Sequence, residues 1–211
     1  MKVTKYAHAC VVLEDQGKKV VIDPGEFAND FGGVDNIAAV VVTHMHGDHF
    51  SPEHLQAIVG ANPDVVVYTV PEVAEQWGDP HAKVVHAYED HTTGPFTFRF
   101  VGELHALIHS SVPQPQNIGV YINNGFYYPG DSFVLADRDV SVLAVPACAP
   151  WLKIGEAMDF LTASKPARCF PTHDIMLSDT GHDFTNSWLS MAAKTAGTNY
   201  TPLKPGESFD Y

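Results

Sequence analysis

Cysteine is scarce in this chain. Cys10, Cys148 and Cys169 are the only three in 211 residues, odd in number and far apart. They form neither a disulfide framework nor a Cys-x-x-Cys site, and a reducing cytoplasm is the expected setting. Basic side chains are scarce as well: 12 Lys and Arg stand against 25 Asp and Glu, a formal net charge of −13. Binding to nucleic acid requires phosphates to be neutralised by Lys and Arg, so the balance weighs against such a partner. No apolar run approaches the length that spans a bilayer, and the opening Met1-Lys2-Val3-Thr4-Lys5 lacks the apolar segment of a secretory leader. Linkers, repeats and low-complexity tracts are missing too. The expectation is a small-molecule substrate and no membrane association, with homo-oligomerisation left open.

What is present is apolar residue and histidine. Hydrophobic residues make up 45% of the chain and charged residues 18%, enough for a sizeable core. We expect one domain over residues 1–211. Many short strands interleave with few helices. Strands are predicted over Val3–Leu13, Lys18–Ile22, Ile37–Val42, Val65–Val70, Val84–Tyr88, Phe96–Val101, Asn117–Ile122, Phe126–Tyr128, Val140–Val145, Arg168–Phe170 and Ser208–Tyr211. Helices are predicted over Pro52–Val59, Pro71–Trp77, Ile154–Ala163 and Asn186–Ala196. Asn123-Asn124-Gly125 predicts a hairpin turn.

The chemistry concentrates in Thr43-His44-Met45-His46-Gly47-Asp48-His49-Phe50. An apolar run of strand length, Ile37-Ala38-Ala39-Val40-Val41-Val42, precedes it. Ser51-Pro52-Glu53 follows, with the marks of a helix start: a Ser cap, Pro at the first position and an acid in the first turn. Residues two apart on extended backbone point the same way, so His44 and His46 can reach one ion together. Gly47 is expected to permit a sharp turn, after which Asp48 and His49 can face a second ion. Imidazole and carboxylate suit zinc, manganese and iron. His81, His86 and His91 lack ligand spacing and read as ordinary surface or core histidines. Asp23-Pro24-Gly25, at a strand end, reads as a turn.

These motifs resemble the signature of the metallo-β-lactamase superfamily. The resemblance runs from Asp23 to His173 and implies an α/β (α+β) fold of four layers, an αββα sandwich. It places His44, His46 and His105 at one metal, and Asp48, His49 and His173 at the other, with Asp131 bridging them. Asp23 then supports the metal-loop histidines from behind. Two divalent cations follow, zinc first, with manganese or iron open. The implied activity is hydrolysis of an ester, lactone or phosphoester by a metal-bound hydroxide, with Asp48 and Asp131 as the catalytic carboxylates. The segment before Pro171-Thr172-His173-Asp174 is similar to the L-ascorbate-6-phosphate-lactonase-like branch. Alternatives are a metal-dependent phosphodiesterase or nuclease, and a metal-binding protein without turnover. The family's diiron oxygen-reductases carry Glu where this chain has His46, its secreted lactamases need export, and its tRNA-processing nucleases carry a long arm. The chain matches none of these three patterns. His109, four residues after His105, competes for the ligand role; we expect His105 to be the ligand and His109 a pocket residue.

Overall fold

A computed structural model describes residues 1–211 apart from Asp30, Gly32 and Asn124. Asn124 of the expected hairpin turn therefore lies outside the described residues. The strands pair into two seven-stranded mixed sheets. The first contains β1 (Lys2–Lys5), β2 (Val11–Asp15), β3 (Lys18–Ile22), β4 (Ile37–Val42), β5 (Val66–Thr69) and β6 (Ala82–Val84) in sequence order. The second contains β7 (Asp90–Thr93), β8 (Phe96–Val101), β9 (Gly119–Ile122), β10 (Phe126–Tyr128), β11 (Val142–Pro146), β12 (Arg168–Thr172) and β13 (Asn199–Tyr200), also in order. The last strand, β14 (Ser208–Asp210), returns to the edge of the first sheet beside β1.

Each sheet changes character half-way. The first is antiparallel through β14, β1, β2 and β3, then parallel from β3 to β6. The second is antiparallel from β7 to β10 and parallel from β10 to β13. Parallel strands covered on both faces need continuous apolar sequence. Val40, Val41 and Val42 of β4 and Leu143, Ala144 and Val145 of β11 are accordingly all buried.

Side chains from both sheets meet in one core: Leu13, Val20 and Ile22 from the first, and Phe96, Phe98, Phe126 and Phe170 from the second. A second cluster lies under two helices, where Tyr127, Leu143 and Val145 meet Ala157, Phe160 and Leu161 of α3 (Ile154–Ser164) and Leu189, Ala192 and Ala193 of α4 (Asp179–Ala196). Leu55 and Ile58 of α1 (Pro52–Ala61) and Val73 of α2 (Pro71–Trp77) join the first cluster. The αββα sandwich is thus observed.

Several boundaries differ from expectation. The run Val3–Leu13 is two strands, because the chain turns at 6–10 and His8 takes φ 60°. The apolar stretch before Tyr88 is not a strand; β6 stops at Val84, and the unexpected polar β7 pairs with β8 instead. Helix α4 begins seven residues before Asn186, because the Ser178 hydroxyl accepts the Gly181 N–H at 3.2 Å and caps it there.

Candidate metal centre

The motif loop leaves β4 at Val42 and enters α1 at Pro52. Ser51 caps that helix by accepting the His54 N–H at 3.3 Å, with Pro52 at its first position. His54 Nδ1 donates to the Gly25 carbonyl at 3.1 Å, which ties the helix start to the turn after β3. That turn presses directly beneath the loop: a Cβ added to Gly25 would lie 2.0 Å from the Asp48 carbonyl oxygen. The chain turns at Gly47 as expected, with His49 N–H and Phe50 N–H both donating to the His46 carbonyl. The φ of Gly47 is outside the left-handed region, and its lack of a side chain serves close approach to Glu26, whose carboxyl carbon would be 3.0 Å from an added Cβ.

Both sheets deliver side chains to one place. His44, His46, Asp48 and His49 come from the end of β4. His105 and Asp131 follow β8 and β10, and His173 follows β12. The ligand atoms of His44, His46 and His105 lie within 4.8 Å of one another, and so do those of His8, Asp48, His49 and His173; His44, His49 and Asp131 form a third group on the same criterion. Asp131 lies between the two sets, with Oδ2 at 3.3 Å from His105 Nε2 and 3.1 Å from His173 Nε2, and Oδ1 at 3.1 Å from His49 Nε2. Asp48 Oδ2 is 3.2 Å from His173 Nε2.

Four of the histidines share one arrangement. Thr43 Oγ1 donates to Asp23 Oδ2 at 2.7 Å and so accepts from His44 Nδ1 at 3.0 Å. His49 Nδ1 donates to the same Asp23 oxygen at 2.6 Å. His105 Nδ1 donates to the Ala106 carbonyl, and His173 Nδ1 to that of Cys148. Each Nδ1 is thereby protonated and each Nε2 turned towards the centre, where it can ligate once the ring is neutral. All four Nε2 atoms are buried without a hydrogen-bond partner, as is Asp131 Oδ1. Buried polar atoms are rarely left unpaired. Imidazoles oriented from behind and converging on one space fit a divalent cation.

The charges divide. Burial, followed by the neighbouring His49, holds His44 well below the usual imidazole value. Burial and His105 lower His46. For His49, burial opposes protonation, but Asp131 and Asp23 override it and raise the group well above its ordinary value. His173 follows the same balance, with Asp131 and Asp48 raising it to about 9. Burial would raise Asp48, yet the facing His173 ring and the hydrogen bond from His8 bring it far below the carboxylate range. Asp131 is likewise held well below that range, by His49 and His173 against its own burial.

His109 is exposed and its Nδ1 faces Ser111 Oγ at 2.8 Å, whereas His105 is buried among the other rings, 4.9 Å from His44 and 4.8 Å from His46 by ring centroid. Two participants escaped sequence reasoning. His8 accepts the Ile175 N–H at Nδ1 (3.4 Å), so its Nε2 carries the proton and donates to Asp48 Oδ2 at 2.9 Å. Trp151 Nε1 donates to Asp131 Oδ2 at 2.9 Å. Beyond His8 opens a cavity of about 620 Å³, with Lys5, Asp174, Ile175 and His182 among its walls. Lys5, fully buried, donates to Asp174 Oδ2 and to the Leu203 carbonyl.

Comparison with known proteins agrees with this geometry. The family described as the beta-lactamase superfamily domain matches residues 2–173. The chain belongs to the beta-lactamase superfamily. It is 34% identical over 183 residues to Protein Rv0786c of Mycobacterium tuberculosis, covering 84% of this chain and 86% of that protein. It is 28% identical to a UPF0173 metal-dependent hydrolase of Aeropyrum pernix, covering 100% and 97%. Among solved structures, the metallo-beta-lactamase fold protein YhfI of Bacillus subtilis superposes with a TM-score of 0.74 at 17% identity over 99% of both chains, a likeness of fold. No helix among the described residues is long and apolar enough to cross a membrane.

Proposed function

We propose that this superfamily member is a metal-dependent hydrolase that holds two divalent ions, zinc first among the candidates, and cleaves an ester, lactone or phosphoester in a small molecule. The carrying observation is the set of four buried histidine Nε2 atoms without a hydrogen-bond partner, each ring fixed by an engaged Nδ1 and turned to a shared space. His44, His46 and His105 would hold one ion and Asp48, His49 and His173 the other, with Asp131 reaching both. Such ions acidify water and polarise the scissile carbonyl or phosphoryl oxygen. The name of the Aeropyrum pernix relative supports the reading. Zinc, manganese and iron all accept this donor set.

The chain's own groups set the geometry. Asp23 aligns His49 directly and His44 through Thr43. His8 and Trp151 each hold one carboxylate oxygen, on Asp48 and Asp131. In ester cleavage water adds to the acyl carbon, the acyl C–O bond breaks, and the departing alkoxide takes a proton from that water, with Asp48 positioned to carry it. We place the work in the cytoplasm, on the scarcity of cysteine. The similarity to the lactonase-like branch makes a lactone one arm of the test.

Elemental analysis after reconstitution, followed by a panel of ester, lactone, phosphomonoester and phosphodiester substrates, tests the proposal. About two ions per chain and turnover of one class are expected. A stoichiometry well below one defeats it, and a fully loaded but inert protein makes the chain a metal-binding protein without turnover.

A further inference from the structure

Large apolar side chains stand exposed on the loops that carry the site. Phe27, 43% exposed, follows the turn containing Asp23 and packs edge-on against the His8 ring at 5.4 Å. Met45, between His44 and His46, is also exposed. Leu107 and Ile108 come two and three residues after His105, and Leu107 is 56% exposed. Ile175 and Met176 come two and three residues after His173, at 45% and 54%. Single exposed apolar residues are ordinary, but a grouping around one site marks a binding surface.

The same loops are empty of fixed positive charge. Residues 23–29, 43–51, 102–118, 129–136 and 173–178 contain no Lys or Arg. Sites that grip a phosphodiester neutralise its charge with such side chains, Arg above all. Here Glu26, Glu103 and Asp174 stand on those loops instead.

We propose that the site takes an uncharged carboxylic ester or lactone with an apolar alkyl or aryl body, and that this body lies on the rim of Phe27, Met45, Leu107, Ile108, Ile175 and Met176. The proposal rests on the hydrolase reading and narrows it to carboxylic acid derivatives with hydrophobic acyl groups. Ligand pockets commonly pair apolar walls with a few polar groups that fix orientation. In this protein the polar part is the metal centre and the apolar part is supplied by the residues that follow its ligands.

The test uses the reconstituted protein with p-nitrophenyl esters from acetate to hexanoate, beside bis(p-nitrophenyl) phosphate. Full burial of a methylene is worth about 0.8 kcal/mol, and an open rim captures roughly half. Thus kcat/KM should rise about twofold per methylene, about 16-fold across the series, and the phosphodiester should be the poorest substrate. The triple variant Leu107→Ser, Ile108→Ser, Met176→Ser should flatten that rise. In parallel, titration calorimetry with p-nitrophenyl hexyl ether, which cannot be hydrolysed, reads the rim on metal-stripped protein, with binding expected in the wild type and weakened in the variant. A flat series, or a preference for the phosphodiester, overturns the substrate assignment and leaves the hydrolase standing. Loss of all turnover with two ions bound defeats the hydrolase, while the ether titration still decides the rim: absence of binding overturns it. A dimer in light scattering that the triple variant breaks, with no response to chain length, would give the surface to a second copy of the chain and overturn the proposal.

Discussion

The two halves of the centre are built from similar side chains and differ in their electrical character. The His44, His46 and His105 half has imidazoles crowded by one another, and burial keeps His44 and His46 below their ordinary value. The half around Asp48, His49 and His173 is threaded with carboxylates, and there His49 and His173 are raised, His173 to about 9, while burial lowers His8 beside them. Without a cation, the second half is suited to holding protons and the first is not. Metal must therefore displace protons mainly from the second half, because a bound imidazole has to be neutral at its ligating nitrogen.

The sharpest way to break this comparison is to remove a carboxylate. Asp48→Ala deletes the group that His8 and His173 both face. Turnover should fall at least about 10²-fold, as for other charged contacts in active sites, while circular dichroism stays native. An unchanged kcat on a good substrate would show that the second half is dispensable.

Asp23→Asn is expected to act through His49 and, by way of Thr43, His44. Loss of such a supporting carboxylate typically costs 10–100-fold in metal affinity. Competition with a chromophoric chelator measures it: the ion at His49, linked directly to Asp23, should weaken more than the ion at His44, linked through Thr43, and equal weakening of both would contradict that difference.

The first half is probed by a pair of variants. His105→Ala should lose much of one metal equivalent, whereas exposed His109→Ala should keep both ions and change kinetics at most. Elemental analysis decides, and the reverse result would move the ligand role to His109.

The smallest effect expected is on the melting temperature of chelated protein. His49 and His173 are raised, so their stabilisation is complete below the ordinary imidazole value and is lost as pH rises through their folded values, about 9 for His173. His44 and His46 are lowered, so the folded state loses ground as pH falls below about 6.5, where the unfolded chain takes up protons that the folded chain refuses. The Tm should peak near about pH 6.5 and decline on both sides by a few degrees, given that 1 kcal/mol corresponds to about 2–4 °C at this size. His173→Ala should remove part of the alkaline decline and His44→Ala part of the acid one. A monotonic curve would contradict the division.

The metal loop was readable because it is local. Strand, ligands, cap and helix follow one another within residues 37–61, and each has its own pattern. Asp131 and His173 sit at strand ends that apolar runs delimit. His105 needed the family resemblance, since the chain between β8 and β9 has no regular period. His8 was hidden because Val3–Leu13 is apolar enough to read as one strand. Nothing in the residue types announces that His8 adopts φ 60°, a conformation that few non-glycine residues take. The contact of Trp151 with Asp131 spans 20 residues and depends on how the sheet ends meet, which periodicity does not record. The missed strand β7 is polar along its length and is held by pairing with β8.

The wide spacing of the side chains that meet at this centre also has a consequence in time. His44, His46 and His49 leave the ribosome long before His173. At about 5–20 residues per second, the interval is on the order of ten seconds. Early in that interval the loop after β4 is made while its histidines have no partners from the second sheet, and β14, the edge strand of the first, is still to come. A cation caught at that stage would meet three imidazoles and two carboxylates, Asp23 and Asp48, on a half-made molecule. The backbone bond from the His173 amide to the His8 carbonyl, and the ion pair between Asp174 and Lys5, can close only once β12 has arrived. The completed centre is thus a late event in the folding of the chain, closed by the segment that brings His173.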